Sequence, residues 1–210
     1  MSVITISRQS GSEGTQIARV LCEELDYSIF EKPLMMQLVT QLNTEAADAT
    51  EHLPKARTLL ERILNPFDAA LEPGHETHKE ISFDENSLPS VDQISALIMA
   101  AYHHNNVVIV GRGSQVVLAN KPDVLHVRII APLEKRIQTW MARDKLTYKD
   151  AEKRVHERDK AHVDFVKNFF DTDIRNPELY DLVINTDKLS IGDAADLIIQ
   201  ALHNMEPPGH

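Results

Sequence analysis

The 210-residue chain holds a single cysteine, Cys22. One thiol builds neither an internal disulfide nor a cysteine-based zinc site, so a reducing compartment is expected. Long hydrophobic runs are also missing: no stretch approaches the roughly 18 apolar residues of a membrane span. The opening residues, Met1-Ser2-Val3-Ile4-Thr5-Ile6, place no basic segment ahead of an apolar core. These absences predict a soluble, cytoplasmic protein with no membrane partner. Positive charge is scarce as well. With 22 Lys and Arg against 32 Asp and Glu, the formal net charge is −10, and such a field repels phosphate polymers and opposes general adhesion to nucleic acid. Any phosphate binding has to be local.

Familiar catalytic signatures are absent too. There is no GxSxG, which removes support for nucleophilic hydrolase chemistry. Ten histidines invite a metal reading, but His75-Glu76-Thr77-His78 offers two ligands without a third and without HExxH spacing. They read as surface histidines. His103 and His104 fall at a helix end, where a cationic imidazole meets a favourable dipole. No metal-binding histidine is assigned.

What is present is an alternation. Val3 to Ile6 is a short β-branched run, and Ile17, Val20, Leu21 and Leu25 then recur at helical spacing. Val107-Val108-Ile109-Val110 has no alternation, as expected of a parallel strand covered on both faces. Strands are predicted near 3–7, 27–30, 107–110, 125–130 and 180–184, with helices between them. Thr147 with Asp150, and Ser190 with Asp193, carry helix-capping signatures. Residues 43–89 read as a helical insertion with a mobile loop around Gly74 to Ser90, and Glu206 to His210 as a disordered tail. The fold class that follows is α/β, three layers, with a mostly parallel sheet.

Ligands in such sheets bind beyond the carboxyl ends of the strands. The loops at Arg8 to Gly14, Gly111 to Ser114 and Asn185 to Asp187 all follow strands and are expected on one face. The first combines a strand, a glycine-containing turn and a helix N-terminus, which together present N–H groups and a dipole to an anion. It is not the standard GxxxxGK[ST]: with Gly11-Ser12 laid on the motif's inner small residues, Gly14 replaces the lysine and Thr15 falls on the magnesium-holding Ser/Thr. Either this is a phosphate loop without its lysine, or a glycine turn opening a helix. Arg112, flanked by Gly111 and Gly113, offers a planar fork for phosphate oxygens. A third candidate group is Arg136, Arg143, Arg154 and Arg158-Asp159. Between Glu134 and Lys160 nine Lys and Arg face six Asp and Glu, against two and eight between Glu61 and Ala100. Arginines of this kind can close over a transferring phosphoryl group.

The segments ITISRQSGSEGTQIA, IFEKPLM, VVIVGRGSQVVL, VLHVRIIAPLEKRI and YDLVINTDKLSIGDAADLI, in this order, resemble the bacterial cytidylate kinase-like family over nearly the whole chain. The resemblance implies a nucleoside monophosphate kinase fold of the P-loop type with a five-stranded parallel sheet. It implies a core at about 1–42, 91–132 and 171–203, an acceptor-binding insertion at about 43–90, a lid at about 133–170 and a tail at about 204–210. The implied reaction moves the γ-phosphate of ATP, with magnesium, to a nucleoside monophosphate such as CMP.

By the same resemblance Gly11, Ser12, Gly14 and Thr15 bind the donor phosphates, with Thr15 reaching magnesium. Arg112 binds the acceptor phosphate, Arg8 and the lid pair Arg158-Asp159 serve catalysis, and Arg136 and Arg143 belong to the lid. Two departures stand out. Gly113 replaces the carboxylate of a GRD motif, and His162 stands where the lid expects a basic residue. Asp92 and Gln93 are candidate contributors to base recognition. Arg8 is either the substitute for the missing lysine or a partner of Glu13, and the alternative to a kinase is a nucleotide-binding regulatory module.

Overall fold

The computed structural model describes residues 2–45, 52–64 and 89–205. Its centre is the run Val-Ile-Thr-Ile of β1 (Val3–Arg8), buried along its length. A strand with no solvent-facing side needs cover on both faces, and parallel pairing with crossover helices supplies it. β2 (Ser28–Phe30), β3 (Val107–Val110), β4 (Val124–Ile130) and β5 (Leu182–Asn185) complete a five-stranded sheet of order β2-β3-β1-β4-β5. Every pairing is parallel, with Ile6 beside Val110 on one side and Val127 on the other.

One face of the sheet is apolar. Ile4, Ile6, Val108, Val127 and Ile129 pack against Ile17 and Leu21 of α1 (Gly14–Leu25) and Ile198 and Leu202 of α8 (Ile191–His203). Full burial of each such side chain contributes about 1.5–3 kcal/mol. The opposite face of β1 and β4 is polar: Thr5 Oγ1 meets His126 Nδ1 at 2.7 Å, and Arg128 donates to Ser7 Oγ at 3.0 Å. α6 (Leu133–Asp144) and α7 (Tyr148–Phe170) form a hairpin with a small core of its own, Ile137, Trp140, Ala151 and Val155. Thr147 caps α7, and Ser190 and Asp193 form a complete capping box on α8. A four-residue helix, α5 (Ser114–Val117), follows β3.

The chain divides into two compact units, one of residues 1–32 with 105–210 and one of Pro33–His104. The second holds most of α2 (Lys32–Glu45) and, packed on each other, α3 (His52–Leu64) and α4 (Val91–His104). In α4 the side chain of Gln93 accepts from Ser90 N–H while Ser90 Oγ accepts from Gln93 N–H, a capping pair at the helix start. The expected loop over 74–88 and the tail over 206–210 lie outside the described residues, as do His75 and His78. Among the described residues no helix is long and apolar enough to cross a membrane.

The last strand begins two residues later than the sequence suggests. The Tyr180 N–H closes a 3-10 turn onto Pro177 at 3.0 Å, and its hydroxyl donates to Ile174 O, so the ladder starts at Leu182.

Candidate functional site

β1 and β3 lie side by side, yet β1 leads toward β2 while β3 leads past β1 to β4. That reversal is a topological switch point, where a crevice opens outside the strand ends. A cavity of about 520 Å³ occupies the place, with walls from the loops after β1 and β3, the start of α2, and the α6–α7 hairpin. Five cationic side chains line it, Arg8, Lys32, Arg112, Arg143 and Arg158, against two carboxylates, Glu13 and Asp159. In a chain of net charge −10 this is a local concentration of positive charge.

The loop after β1 turns through Gly11 at φ 82° and Glu13 at φ 64° before α1 begins at Gly14. Glycine is required at 11, because a Cβ there would sit 2.6 Å from the Arg136 carbonyl oxygen. Ser12 is buried and donates to Gln9 O at 2.9 Å, which fixes the turn. Thr186, from the loop after β5, donates to Ser12 O at 3.2 Å, so that loop also reaches the turn.

Arg8 leaves β1 on the α1 side. Its stem lies against Gly14, where an added Cβ would be 2.8 Å from Arg8 Cβ, and its Nε donates to Thr15 Oγ1 at 3.0 Å. A guanidinium nitrogen reaches Gly111, across the crevice, to within 3.0 Å of where a Cβ would stand. Among the described residues Arg8 has no ion pair, so the pairing with Glu13 is not formed. Burial lowers its pKa; Glu31 opposes this and Arg112 and Arg158 add to it. The group stays charged.

Arg112 sits in the left-handed region at φ 60°, between Gly111 at 77° and Gly113 at 73°. Three such residues in succession turn the chain sharply off β3, and the guanidinium comes to lie 5.3 Å from the Phe165 ring centre. Burial lowers the Arg112 pKa. Position 113 has no room for a carboxylate, since a Cβ would meet the Phe170 ring at 2.3 Å.

The hairpin gathers three arginines on Trp140: Arg143 at 3.7 Å, Arg158 at 4.7 Å and Arg154 at 5.1 Å from the ring centre. Asp144 pairs with Arg143 at 2.8 Å and Arg154 at 2.5 Å. Among the described residues Arg158 has no such partner. Burial and its two arginine neighbours lower its pKa, against the pull of Asp144. Arg136, only 6% exposed, lies beneath the loop and pairs with Asp159 at 2.5 Å.

Lys32 and His162 were not singled out as ligands in the sequence, and both line the cavity. A lysine two residues past a strand end is the signal that marks Lys32; its pKa is lowered by burial and by Arg112 and Arg158. His162 is pushed down to about 4 by burial and by the charges of Arg8 and Arg128, outweighing the Arg8 backbone and Asp159. It is a neutral ring at pH 7. Asp92 and Gln93 belong to the other unit.

The hydroxyl of Thr15 already accepts a guanidinium N–H. No group of three metal-ligating side chains occurs among the described residues. That guanidinium sets a positive charge against the hydroxyl on which a magnesium ion would have to sit.

The sheet is parallel, and a glycine-containing turn stands at its switch point, where α/β domains bind ligands. Residues 3–188 match the cytidylate kinase-like family, and the chain belongs to that family. It is 28% identical over 134 residues to a cytidylate kinase of Methanocaldococcus jannaschii, an alignment covering 62% of this chain and 70% of that protein. It is also 28% identical over 100 residues to a uronate isomerase of Corynebacterium glutamicum, covering 48% of this chain but only 19% of that one. Among solved structures it resembles an uncharacterized protein from Eubacterium ventriosum, with TM-score 0.65 and 17% identity over 97% of this chain and 99% of that one. That likeness speaks for the fold alone.

Proposed function

We propose that this chain transfers the γ-phosphate of ATP to a nucleoside monophosphate such as CMP. The observation that carries the reading is that Arg8, from the loop after β1, and Arg112, from the loop after β3, share one cavity, neither in an ion pair with a carboxylate among the described residues. One end suits a donor's phosphates and the other an acceptor's. Gly11, Ser12, Gly14 and Thr15 form the donor cradle, and Arg112 with Lys32 takes the acceptor phosphate. Arg158 and Arg143 face the transferring group from a lid at about 133–170.

The protonation states favour a phosphate acceptor over an alcohol. An alcohol needs a base, whereas a phosphate monoester brings an anionic oxygen. The one imidazole in the cavity has its pKa near 4 and is a poor base, and the two carboxylates belong to the loop or are bound to it. Arg8 supplies the charge that a loop lysine would place on the β- and γ-phosphates. Magnesium enters with the nucleotide as part of the substrate. The setting is cytoplasmic, with no nucleic-acid or membrane partner.

The test is a phosphoryl-transfer assay with purified protein, ATP and a panel of nucleoside monophosphates. Labelled diphosphate product from at least one of them is expected. Tight nucleotide binding without product would replace this reading with a regulatory nucleotide-binding module, favoured by the glycine at position 14.

A further inference from the structure

All three polar groups of Ser10 are held by the α6–α7 hairpin. Its N–H donates to Asp159 Oδ1 at 2.8 Å, its carbonyl accepts from Arg136 Nη1 at 3.2 Å, and its hydroxyl accepts from Trp140 Nε1 at 2.9 Å. Arg136 is anchored independently, donating through Nε to Ala131 O at 3.0 Å. Asp159 is not anchored in that way. Its other oxygen meets Arg136, and the carboxylate stands on the cavity wall with 27% of its side chain exposed. A carboxylate therefore holds an N–H of the turn into which phosphate oxygens fit. Two anions competing for the same N–H exclude each other.

We propose that Asp159 is a latch. In the empty protein it takes the place of a phosphate oxygen at Ser10 and pins α7 to the loop. A phosphate chain entering the loop displaces it, and α7, carrying Arg158 one residue away, is released to move onto the transferring group. Asp159 is then a positioning residue that touches the loop and Arg136, while Arg136 stays behind beneath the loop on Ser10 O and Ala131 O. The latch rests on the reading that this loop receives nucleotide phosphates.

The experiment compares wild type, Asp159→Ala and Asp159→Asn for binding of ATP and of inorganic tripolyphosphate. The readout is the emission of Trp140, the only tryptophan, which donates to Ser10. Removing the competing anion should tighten tripolyphosphate binding at least fivefold in Asp159→Ala, with a smaller shift in the same direction for the isosteric Asp159→Asn. Emission of the ligand-free Asp159→Ala protein should move toward that of saturated wild type.

A carboxylate that merely builds the loop predicts the reverse, so weaker or unchanged binding in folded variants overturns the latch. Should Asp159→Ala fail to fold, the Asp159→Asn comparison decides by the sign of its shift. Hydrogen exchange without ligand separates the two layers of argument. Exchange over residues 9–14 and along α7 should speed up in the variants, and unchanged exchange sinks the latch whatever nucleotides do. Wild type that binds neither ATP nor tripolyphosphate sinks the kinase reading instead.

Discussion

The side chain of Arg8 occupies the space that any side chain at position 14 would need: a Cβ on Gly14 would lie 2.8 Å from Arg8 Cβ and 3.2 Å from Arg8 Cδ. The missing lysine and the extra arginine are thus one arrangement. A glycine at the start of α1 lets the Arg8 stem pass, and the stem carries its charge past Thr15 toward the cavity.

Gly14→Ala is expected to destabilise the protein by about 1–3 kcal/mol, the usual cost of forcing an extra methyl into a packed site. The neighbours on this spot are the Arg8 stem and Ile129 Cβ at 3.3 Å, neither a flexible chain end. Thermal melting checks it, and a melting temperature equal to wild type would mean that Arg8 is free to swing away.

Arg8→Ala should reduce turnover by on the order of a hundredfold, as when other charge partners of a transferring phosphoryl group are removed. The swap Arg8→Gly with Gly14→Lys should regain part of that loss, because a glycine at position 8 removes both the Cβ and the Cδ that crowd a side chain at position 14. Unchanged turnover in a folded Arg8→Ala protein would leave the arginine a structural strut.

His162 makes stability depend on pH. Its folded pKa of about 4 lies below the ordinary histidine value of about 6.5. The unfolded chain therefore takes up a proton first as pH falls, and the contribution present above 6.5 drains away down to about 4. The loss from this group should be about 1–3 kcal/mol across that window. Denaturant unfolding at pH 7 and pH 4.5 measures it, and His162→Gln should show a shallower fall; an identical slope would remove His162 as the cause.

The strands were readable because burial on both faces leaves a mark that needs no partner: Val107 to Val110 is apolar at every position and lies inside the sheet, between β2 and β1. The same holds for the caps at Thr147 and Ser190, whose signals span three residues. The roles around the loop were not readable, because they depend on contacts between residues far apart in the chain. Ser10 meets Asp159 across 149 positions and Arg136 across 126, so nothing local distinguishes Arg136, beneath the loop, from Arg158, on the cavity wall. Gly113 looked like a lost carboxylate. The Phe170 ring at that spot shows a different packing, supplied by the end of α7.

The cavity cations carry the last prediction. Arg8, Lys32, Arg112 and Arg158 all have lowered pKa values, burial being the first cause in each and neighbouring cations a further one for three of them. Like charges that outnumber the carboxylates around them are a cost to the folded state, and an anion that enters relieves it. Phosphate or sulfate at millimolar concentration should therefore raise the melting temperature, following the linkage between binding and stability, while chloride at equal ionic strength should do so less. Arg112→Ala should remove about 1.5–3 kcal/mol of acceptor affinity, the range for a charge-assisted contact, and with it part of the phosphate effect. Because its backbone is held at φ 60° between two glycines, Arg112→Gly is the control. It deletes the same guanidinium while relaxing the turn, so equal losses in both variants would assign the effect to charge, and a smaller loss in Arg112→Gly would assign part of it to backbone strain. Acceptor binding and phosphate stabilisation unchanged in both would place the acceptor elsewhere than against β3.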